Sequence, residues 1–263
     1  MDLNLAGRTA LITGASRGFG RAVALELAAE GAHVALCARG SRDLEQTAAE
    51  ASCAGEGRVL TRSLDVTDDQ AIRLFIDDIV QELGAPDLCL VNAGGPPAGG
   101  FFETNLPVWE AAYRLVVESA LRICRLVLPS MKERGFGRIV QITSVAVRQP
   151  VENLILSNVL RPAVHALTHS LALEVAPFGV TVNSVAPGFH LTNAVERLIA
   201  KKMEQDHVTR EEVLLAWEKE IPAGRLGDPQ ELAALVLFLM SDRAGYINGQ
   251  CIVADGGWVR GTF

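Results

Sequence analysis

The stretch Thr9-Ala10-Leu11-Ile12-Thr13-Gly14-Ala15-Ser16-Arg17-Gly18-Phe19-Gly20 decides the fold. A short apolar run, Thr9–Thr13, enters a turn holding three glycines, and a helical pattern, Gly18–Glu30, follows at once. Glycine takes backbone angles closed to other residues and lets a main chain come close to a ligand. A helix amino terminus behind such a turn offers unpaired N–H groups and the positive end of the helix dipole, which suits a pyrophosphate. Glycine-rich turns are common, so the three glycines alone say little. Set between the first strand and first helix of a βαβ series, they mark a dinucleotide site. The spacing is G-x-x-x-G-x-G rather than G-x-G-x-x-G.

Outward from this turn, short apolar runs alternate with amphipathic helical segments. Further strands are expected at His33–Ala38, Arg58–Leu64, Asp87–Val91, Gly137–Thr143, Thr181–Val185 and Cys251–Ala254. Helices are expected at Leu44–Ala54, Asp69–Leu83, Leu106–Met131, Leu156–Ala176 and Pro229–Met240. The alternation predicts a doubly wound α/β fold, a parallel sheet of about seven strands with helices on both faces. No linker interrupts it, so residues 1–263 read as one domain. Asn193–Ile221 breaks the rhythm as a helical insertion. Val195, Leu198, Ile199 and Met203 share one face, and Thr209 with Glu212 reads as a capping box opening a second helix, whose apolar stripe is Val213, Leu214 and Trp217. It is expected over the carboxyl ends of the strands, as a substrate lid or as a packing elaboration.

The bulk numbers exclude several classes. A net charge of −7 argues against a nucleic-acid footprint, which would need a basic face. No run approaches the ~20 apolar residues of a membrane helix, and no secretory leader is visible, so the expectation is a cytoplasmic protein. Cys37, Cys53, Cys89, Cys124 and Cys251 are scattered without C-x-x-C or Cys/His spacing, so no metal site is expected.

The ordered set of motifs resembles the short-chain dehydrogenase/reductase family, in its acyl-carrier-protein-reductase-like branch. The resemblance rests on the glycine turn, Asp65-Val66, Asn92-Ala93-Gly94, Ile142-Thr143-Ser144, and Pro187-Gly188 with Thr192. It continues through Gly224-Arg225-Leu226-Gly227, Tyr246-Ile247-Asn248-Gly249-Gln250 and Asp255-Gly256-Gly257. It implies a nicotinamide cofactor held by Gly14, Ser16, Arg17, Gly18, Phe19, Gly20, Arg39, Asp65, Val66, Asn92, Ala93, Gly94, Arg161, Pro187, Gly188 and Thr192. NAD enzymes place an acidic residue at the end of the second strand for the ribose hydroxyls. Family register puts Ala38 there, with Arg39 next. Arg39 and Arg17 suit a 2′-phosphate, so NADP(H) is expected. The alternative for Arg39 is a solvated surface arginine.

The resemblance fails at the reaction centre. The family uses a serine, a tyrosine, a lysine four residues later, and an asparagine in the preceding long helix. Ser144 matches the serine, but Ser157 falls on the tyrosine, Arg161 on the lysine and Val116 near the asparagine. Val91 stands where the family often has a first asparagine before Asn92. Serine does not titrate near neutrality without a strong base beside it, and arginine cannot serve as a proton reservoir. Ser157 and Arg161 can therefore bind but make a poor acid pair. Pro162 is expected to start the regular helix or to kink it. His190 is a candidate substitute proton carrier, or else a structural loop histidine; Tyr113 is a second candidate.

Two functions follow. One is NADPH-dependent carbonyl reduction of a small molecule through an altered proton relay. The other is a non-redox enzyme or binding protein, with NADP structural or regulatory and Ser144, Ser157 and Arg161 holding an anionic ligand. The resemblance also implies a homo-oligomer, a tetramer or dimer, pairing through Leu106–Met131, Leu156–Ala176 and the last strand.

Overall fold

Along the first strand, β1 (Thr9–Thr13), Ala10 and Ile12 point into one apolar layer and Leu11 into the other. That alternation, with every residue of the strand buried, is what a sheet covered on both faces requires. The computed structural model describes residues 2–261; Met1, Thr262 and Phe263, at the ends of the expected domain, lie outside them. Its sheet adds β2 (His33–Ala38), β3 (Val59–Ser63), β4 (Leu88–Val91), β5 (Gly137–Ile142), β6 (Val180–Pro187) and β7 (Cys251–Ala254). All pairings are parallel, in the order β3-β2-β1-β4-β5-β6-β7. The chain reverses its direction of travel across the sheet between β1 and β4, so the crevice outside their carboxyl ends is where such folds bind ligands.

One face carries α1 (Gly18–Ala29), α2 (Ser41–Ala54) and α9 (Pro229–Met240), packed through Val23, Leu27, Leu44 and Val236. The other carries α3 (Asp69–Glu82), α5 (Ser119–Arg134) and α6 (Ile155–Val175), packed through Ile72, Phe75, Ile123, Val127 and Val164. The insertion forms α7 (Asn193–Asp206) and α8 (Arg210–Glu220) around their own cluster of Val195, Ile199, Val213, Ile221 and Leu226. Thr209 and Glu212 make the reciprocal cap: the Thr209 amide donates to Glu212 Oε2 at 2.8 Å and the Glu212 amide to Thr209 Oγ1 at 3.2 Å. Lys201 Nζ donates to the Ala98 carbonyl at 3.1 Å, tying α7 to the loop that leaves β4.

Two helix expectations need correction. The single helix over Leu106–Met131 is three segments: α4 (Leu106–Tyr113), a π-turn (Arg114–Glu118) and α5, which runs on to Arg134. Ser119 explains the break. Its amide reaches back five residues to the Arg114 carbonyl, while its hydroxyl donates to the Leu115 carbonyl at 2.5 Å. The Leu115 carbonyl, which the shift to a five-residue bond deprives of its usual amide donor, is thus satisfied. Pro162 does not start α6. The helix begins at Ile155, and the proline sits inside it, at the cost of the hydrogen bond its missing N–H would have made to the Asn158 carbonyl. No helix of the described residues is long and apolar enough to cross a membrane.

Cys37, Cys89 and Cys124 lie in the same apolar layer. Burial pushes the Cys37 and Cys124 thiols up to about 12 and Cys89 well above the usual thiol range. An acid whose folded pKa is raised adds stability that is complete below its unfolded pKa and is lost as pH climbs toward the folded one. Between pH 9 and 12 each thiol should therefore cost about 1.4 kcal/mol per pH unit. The expected result is a urea midpoint that falls steeply above pH 9, and falls less in a Cys37→Ala, Cys89→Ala, Cys124→Ala variant. Parallel profiles for the two proteins would refute this.

Candidate active site

The glycine turn is shaped by contact as well as by what it can hold. Gly14 has φ +64°, and a Cβ there would stand 2.6 Å from the Asn92 carbonyl oxygen. A Cβ on Gly20 would stand 2.3 Å from the Gly14 oxygen. Asn92 closes the junction: its amide donates to Thr13 Oγ1 at 2.9 Å and its side chain to the Gly14 carbonyl at 3.4 Å. Asn92 thus braces β1 against β4, a structural task the motif alone did not reveal. Arg17, at the head of α1, gives no side-chain cap, whereas Asp68, Thr192 and Thr209 cap α3, α7 and α8. The first amides of α1 are left for an anion. A groove of about 320 Å³ opens beside them, lined by Ser16, Arg17, Gly18, Thr192, Asn193 and Gln230 among others.

Arg17 itself is ion-paired with Asp43. Arg39 is exposed, and no acidic side chain pairs with it among the described residues. It lines a groove of about 480 Å³ with Asp65, Thr67, Ala111 and Leu115. Asp65 Oδ1 accepts from the Thr67 amide and hydroxyl at 2.9 and 2.8 Å, which fixes this carboxylate in a tight turn. Val66 is buried in the apolar layer. Ala93 is half-buried and Gly94 exposed, with open space where a side chain would project. Across the crevice, the Gly188 amide donates to the Ala254 carbonyl at 2.9 Å, continuing the sheet pairing past Pro187. The Thr192 methyl lies 3.6 Å from the position a Cβ on Gly18 would take, so the start of α7 sits against the glycine turn.

Of the residues expected at the reaction centre, Ser144 follows β5, and Ser157 and Arg161 lie on α6. Ser144 is half-buried and accepts from the Ala146 amide at 3.2 Å, leaving its own O–H free to donate. Ser157 lies half-buried in the first turn of α6 with no hydrogen-bond partner among the described residues. Arg161, one turn on, is only 7% exposed. Its Nη1 donates to the Ile142 carbonyl at 2.8 Å, which anchors α6 to β5 two residues before Ser144. No carboxylate pairs with it among the described residues, and burial pushes the guanidinium down to about 10. It stays charged at neutral pH.

Neither substitute proton carrier is hydrogen-bonded to these three residues. His190 is 4% exposed; its ring meets Phe19 edge to face at 5.2 Å and packs on Gly227, and Nδ1 lies 3.3 Å from the Gly188 carbonyl. Burial holds the imidazole below its ordinary range, outweighing the Gly188 carbonyl. It links the glycine turn to the loop before α9, and no hydrogen bond joins it to Ser144, Ser157 or Arg161. Tyr113 is 45% exposed at the end of α4 and has no hydrogen bond to them either. Val116 is buried within the π-turn.

Sequence reasoning missed Asn158. Its Oδ1 accepts from the Val151 amide at 3.0 Å and its Nδ2 donates to the Val151 carbonyl at 2.8 Å. It thereby pins the loop between Ser144 and α6. A polar residue directly after Ser157 was the available signal.

The family model described as Enoyl-(Acyl carrier protein) reductase matches residues 14–259. The chain is 33% identical to the 2-keto-3-deoxy-L-fuconate dehydrogenase of Xanthomonas campestris pv. campestris over 259 residues, covering 98% of this chain and 82% of that protein. It is also 33% identical to the 3-oxoacyl-acyl-carrier-protein reductase FabG of Vibrio cholerae, over 97% of this chain and 98% of the relative. Among solved structures, the L-sorbose reductase of Gluconobacter frateurii in complex with NADPH and L-sorbose superposes with a TM-score of 0.94 at 30% identity, covering 99% of this chain and 100% of that one.

Proposed function

Because the chain belongs to the short-chain dehydrogenase/reductase family of oxidoreductases, we propose that it reduces a carbonyl group of a small molecule with NADPH, through a proton relay lacking the family's tyrosine and lysine. The single observation carrying this reading is an uncapped α1 amino terminus after β1 together with an Arg39 that has no ion pair among the described residues, directly after the neighbouring strand β2. Gly18 and its neighbours would hold the pyrophosphate, Arg39 the 2′-phosphate, and Arg161 the nicotinamide ribose.

When bound, the cofactor supplies a hydride to the carbonyl carbon. The balanced reaction is ketone + NADPH + H⁺ → secondary alcohol + NADP⁺. Ser144 donates its O–H to the carbonyl oxygen and polarises it. Arg161 adds fixed positive charge where negative charge grows on that oxygen, in a site with little water to screen it. The proton comes from solvent, since no side chain gathered here releases one near pH 7. General acid catalysis typically adds ~10²–10⁴-fold, so its absence slows such a reaction without forbidding it.

The other reading keeps NADP as a structural or regulatory ligand. It is favoured by Ser157 and Arg161 together, a hydroxyl and an uncompensated cation suited to binding an anion. One assay separates the two: protein, NADPH and a panel of 1,2-diketones, quinones and β-ketoacyl thioesters. Carbonyl-dependent loss of the nicotinamide absorbance supports the reductase; NADPH binding without any such loss supports the second reading.

The same proposal takes the protein as cytoplasmic and self-associating, as a dimer or tetramer. Exposed Phe101, Phe102 and Leu106 beside the α4–α5 surface support self-association. A monomer mass by light scattering at micromolar concentration would count against it.

A further inference from the structure

The pair α7–α8 bridges the crevice. Its near end sits on the glycine turn after β1, where the Thr192 methyl lies 3.6 Å from the position of a Cβ on Gly18. Further along α7, Lys201 Nζ donates to the Ala98 carbonyl in the loop beyond β4. The strands β1 and β4 flank the crevice, so α7 joins its two sides. The pair packs around its own small cluster, separate from the two apolar layers of the sheet. Its two roots run side by side: the Leu191 amide donates to the Gly227 carbonyl at 2.8 Å and the Gly227 amide to the Phe189 carbonyl at 3.0 Å. Such a unit can move on its roots without opening either layer.

The segment after β7, residues 255–260, is fastened to this unit. The Asp255 carboxylate accepts from the Gly257 amide at 2.8 Å and from the Val259 amide at 2.7 Å, which turns the chain. Gly256 has φ +65°, and a Cβ there would stand 2.7 Å from Ile221 Cγ2, so glycine lets the segment pass against the end of α8. Trp258 meets Phe189 edge to face at 5.5 Å, and Phe189 stacks on Trp217 of α8 at 4.6 Å. Trp258 Nε1 donates to Glu220 Oε2 at 3.3 Å, and the Arg260 guanidinium donates to the Glu220 carbonyl at 3.1 Å. The Arg260 amide reaches the other way, to Gln149 Oε1 at 3.3 Å. Gln149 lies in the turn that begins at Ser144, its own amide donating to the Val145 carbonyl at 3.0 Å. One short segment therefore holds the end of α8 and the stretch after Ser144 together. Glu220 and Arg260 are exposed, and hydrogen bonds made beside water cost little to release.

We infer that α7–α8 is a lid on the crevice and that residues 255–260 are its strap, coupling the position of the lid to the stretch that positions Ser144. Gln149 and Trp258 act in it as positioning residues. The strap rests on these contacts and not on the proposed reduction.

The test is amide hydrogen exchange on the full chain, followed by mass spectrometry, for the parent, Gln149→Ala and Trp258→Ala. Gln149 has no hydrogen bond to α7 or α8 among the described residues, yet its loss should speed exchange in α8 roughly fivefold. The loss of Trp258 should speed exchange in residues 145–151 by about as much, with α3 unchanged in both variants. Gln149→Glu keeps an acceptor for the Arg260 amide and should match the parent. Changes confined to residues 145–151 in Gln149→Ala would overturn the coupling, and so would an equal rise in α3, the mark of a general loss of stability. The exposed-loop variant Gln149→Ala decides the matter if Trp258→Ala does not fold. Release of NADPH, read by stopped-flow nicotinamide fluorescence, should quicken roughly tenfold in both strap variants. Release at the parental rate would overturn the role of the lid. If the parent binds no NADPH, the cofactor reading falls, and the exchange pattern alone decides the strap.

Discussion

Replacing Ser157 with tyrosine and Arg161 with lysine together should raise the reduction of a simple neutral ketone by ~10²–10⁴-fold over the parent, the usual contribution of a positioned general acid. In the proposed relay the parent has no such group. The serine hydroxyls do not titrate there, and the Arg161 guanidinium, though pushed down to about 10 by burial, remains far from releasing a proton at pH 7. A tyrosine begins from a reference pKa of about 10 and can be drawn toward neutrality by a neighbouring ammonium. The scaffold is ready for the exchange. The helix α6 runs unbroken from Ile155 to Val175 despite Pro162, so residues 157 and 161 keep their i, i+4 relation. A parent that already reduces ketones at roughly 1–10³ per second, rates typical of enzymes, would show that another donor operates. His190 and Tyr113 would then be the first residues to replace, although the burial of one and the exposure of the other speak against both.

Arg39→Ala should weaken NADPH binding by roughly 10–100-fold, the worth of one or two charge-assisted hydrogen bonds, and leave NADH binding nearly unchanged. The load falls on Arg39 because its expected companion is engaged elsewhere: Arg17 is ion-paired with Asp43. A 2′-phosphate would have to compete with that carboxylate for Arg17, whereas Arg39 is free to turn toward it. Asp43→Asn should accordingly tighten NADPH binding slightly. Equal losses for NADPH and NADH in the Arg39 variant, read by calorimetry, would remove the basis for NADP preference.

Much of the fold was legible because the sheet is buried on both faces. Continuous apolar runs such as Leu88–Val91 have no other use in a chain of this kind, and the capping box at Thr209 marks a helix start through side-chain chemistry alone. The π-turn at Arg114–Glu118 was not legible. Its cause is the Ser119 hydroxyl replacing a backbone donor, and a serine inside a helical pattern carries no mark of whether it bonds back or faces solvent. Pro162 misled for a related reason: propensity disfavours it in a helix interior, but packing of Leu160 and Val164 into the core holds the helix across it. At the site, the proposal that Ser157 and Arg161 replace the family's tyrosine and lysine comes from spacing. The isolation of Arg161 from any carboxylate could not, because pairing is decided by side chains distant in sequence. His190 shows the opposite limit. Its position after Pro187-Gly188 suggested a proton carrier or a structural loop histidine, while its contacts with Phe19 and Gly227 come from residues too distant in sequence to be read.

Hydride transfer without the usual proton-donating pair can be followed through the hydride itself. Protein is incubated with NADPH carrying deuterium at nicotinamide C4, in turn on each face, and with the carbonyl compound giving the fastest absorbance loss. The product is then examined by mass spectrometry and NMR. One deuterium is expected on the new carbinol carbon, from one face of the nicotinamide only, with the hydroxyl proton drawn from solvent. Recovery of unreacted carbonyl compound and intact labelled NADPH, after binding of NADPH has been demonstrated, would contradict it.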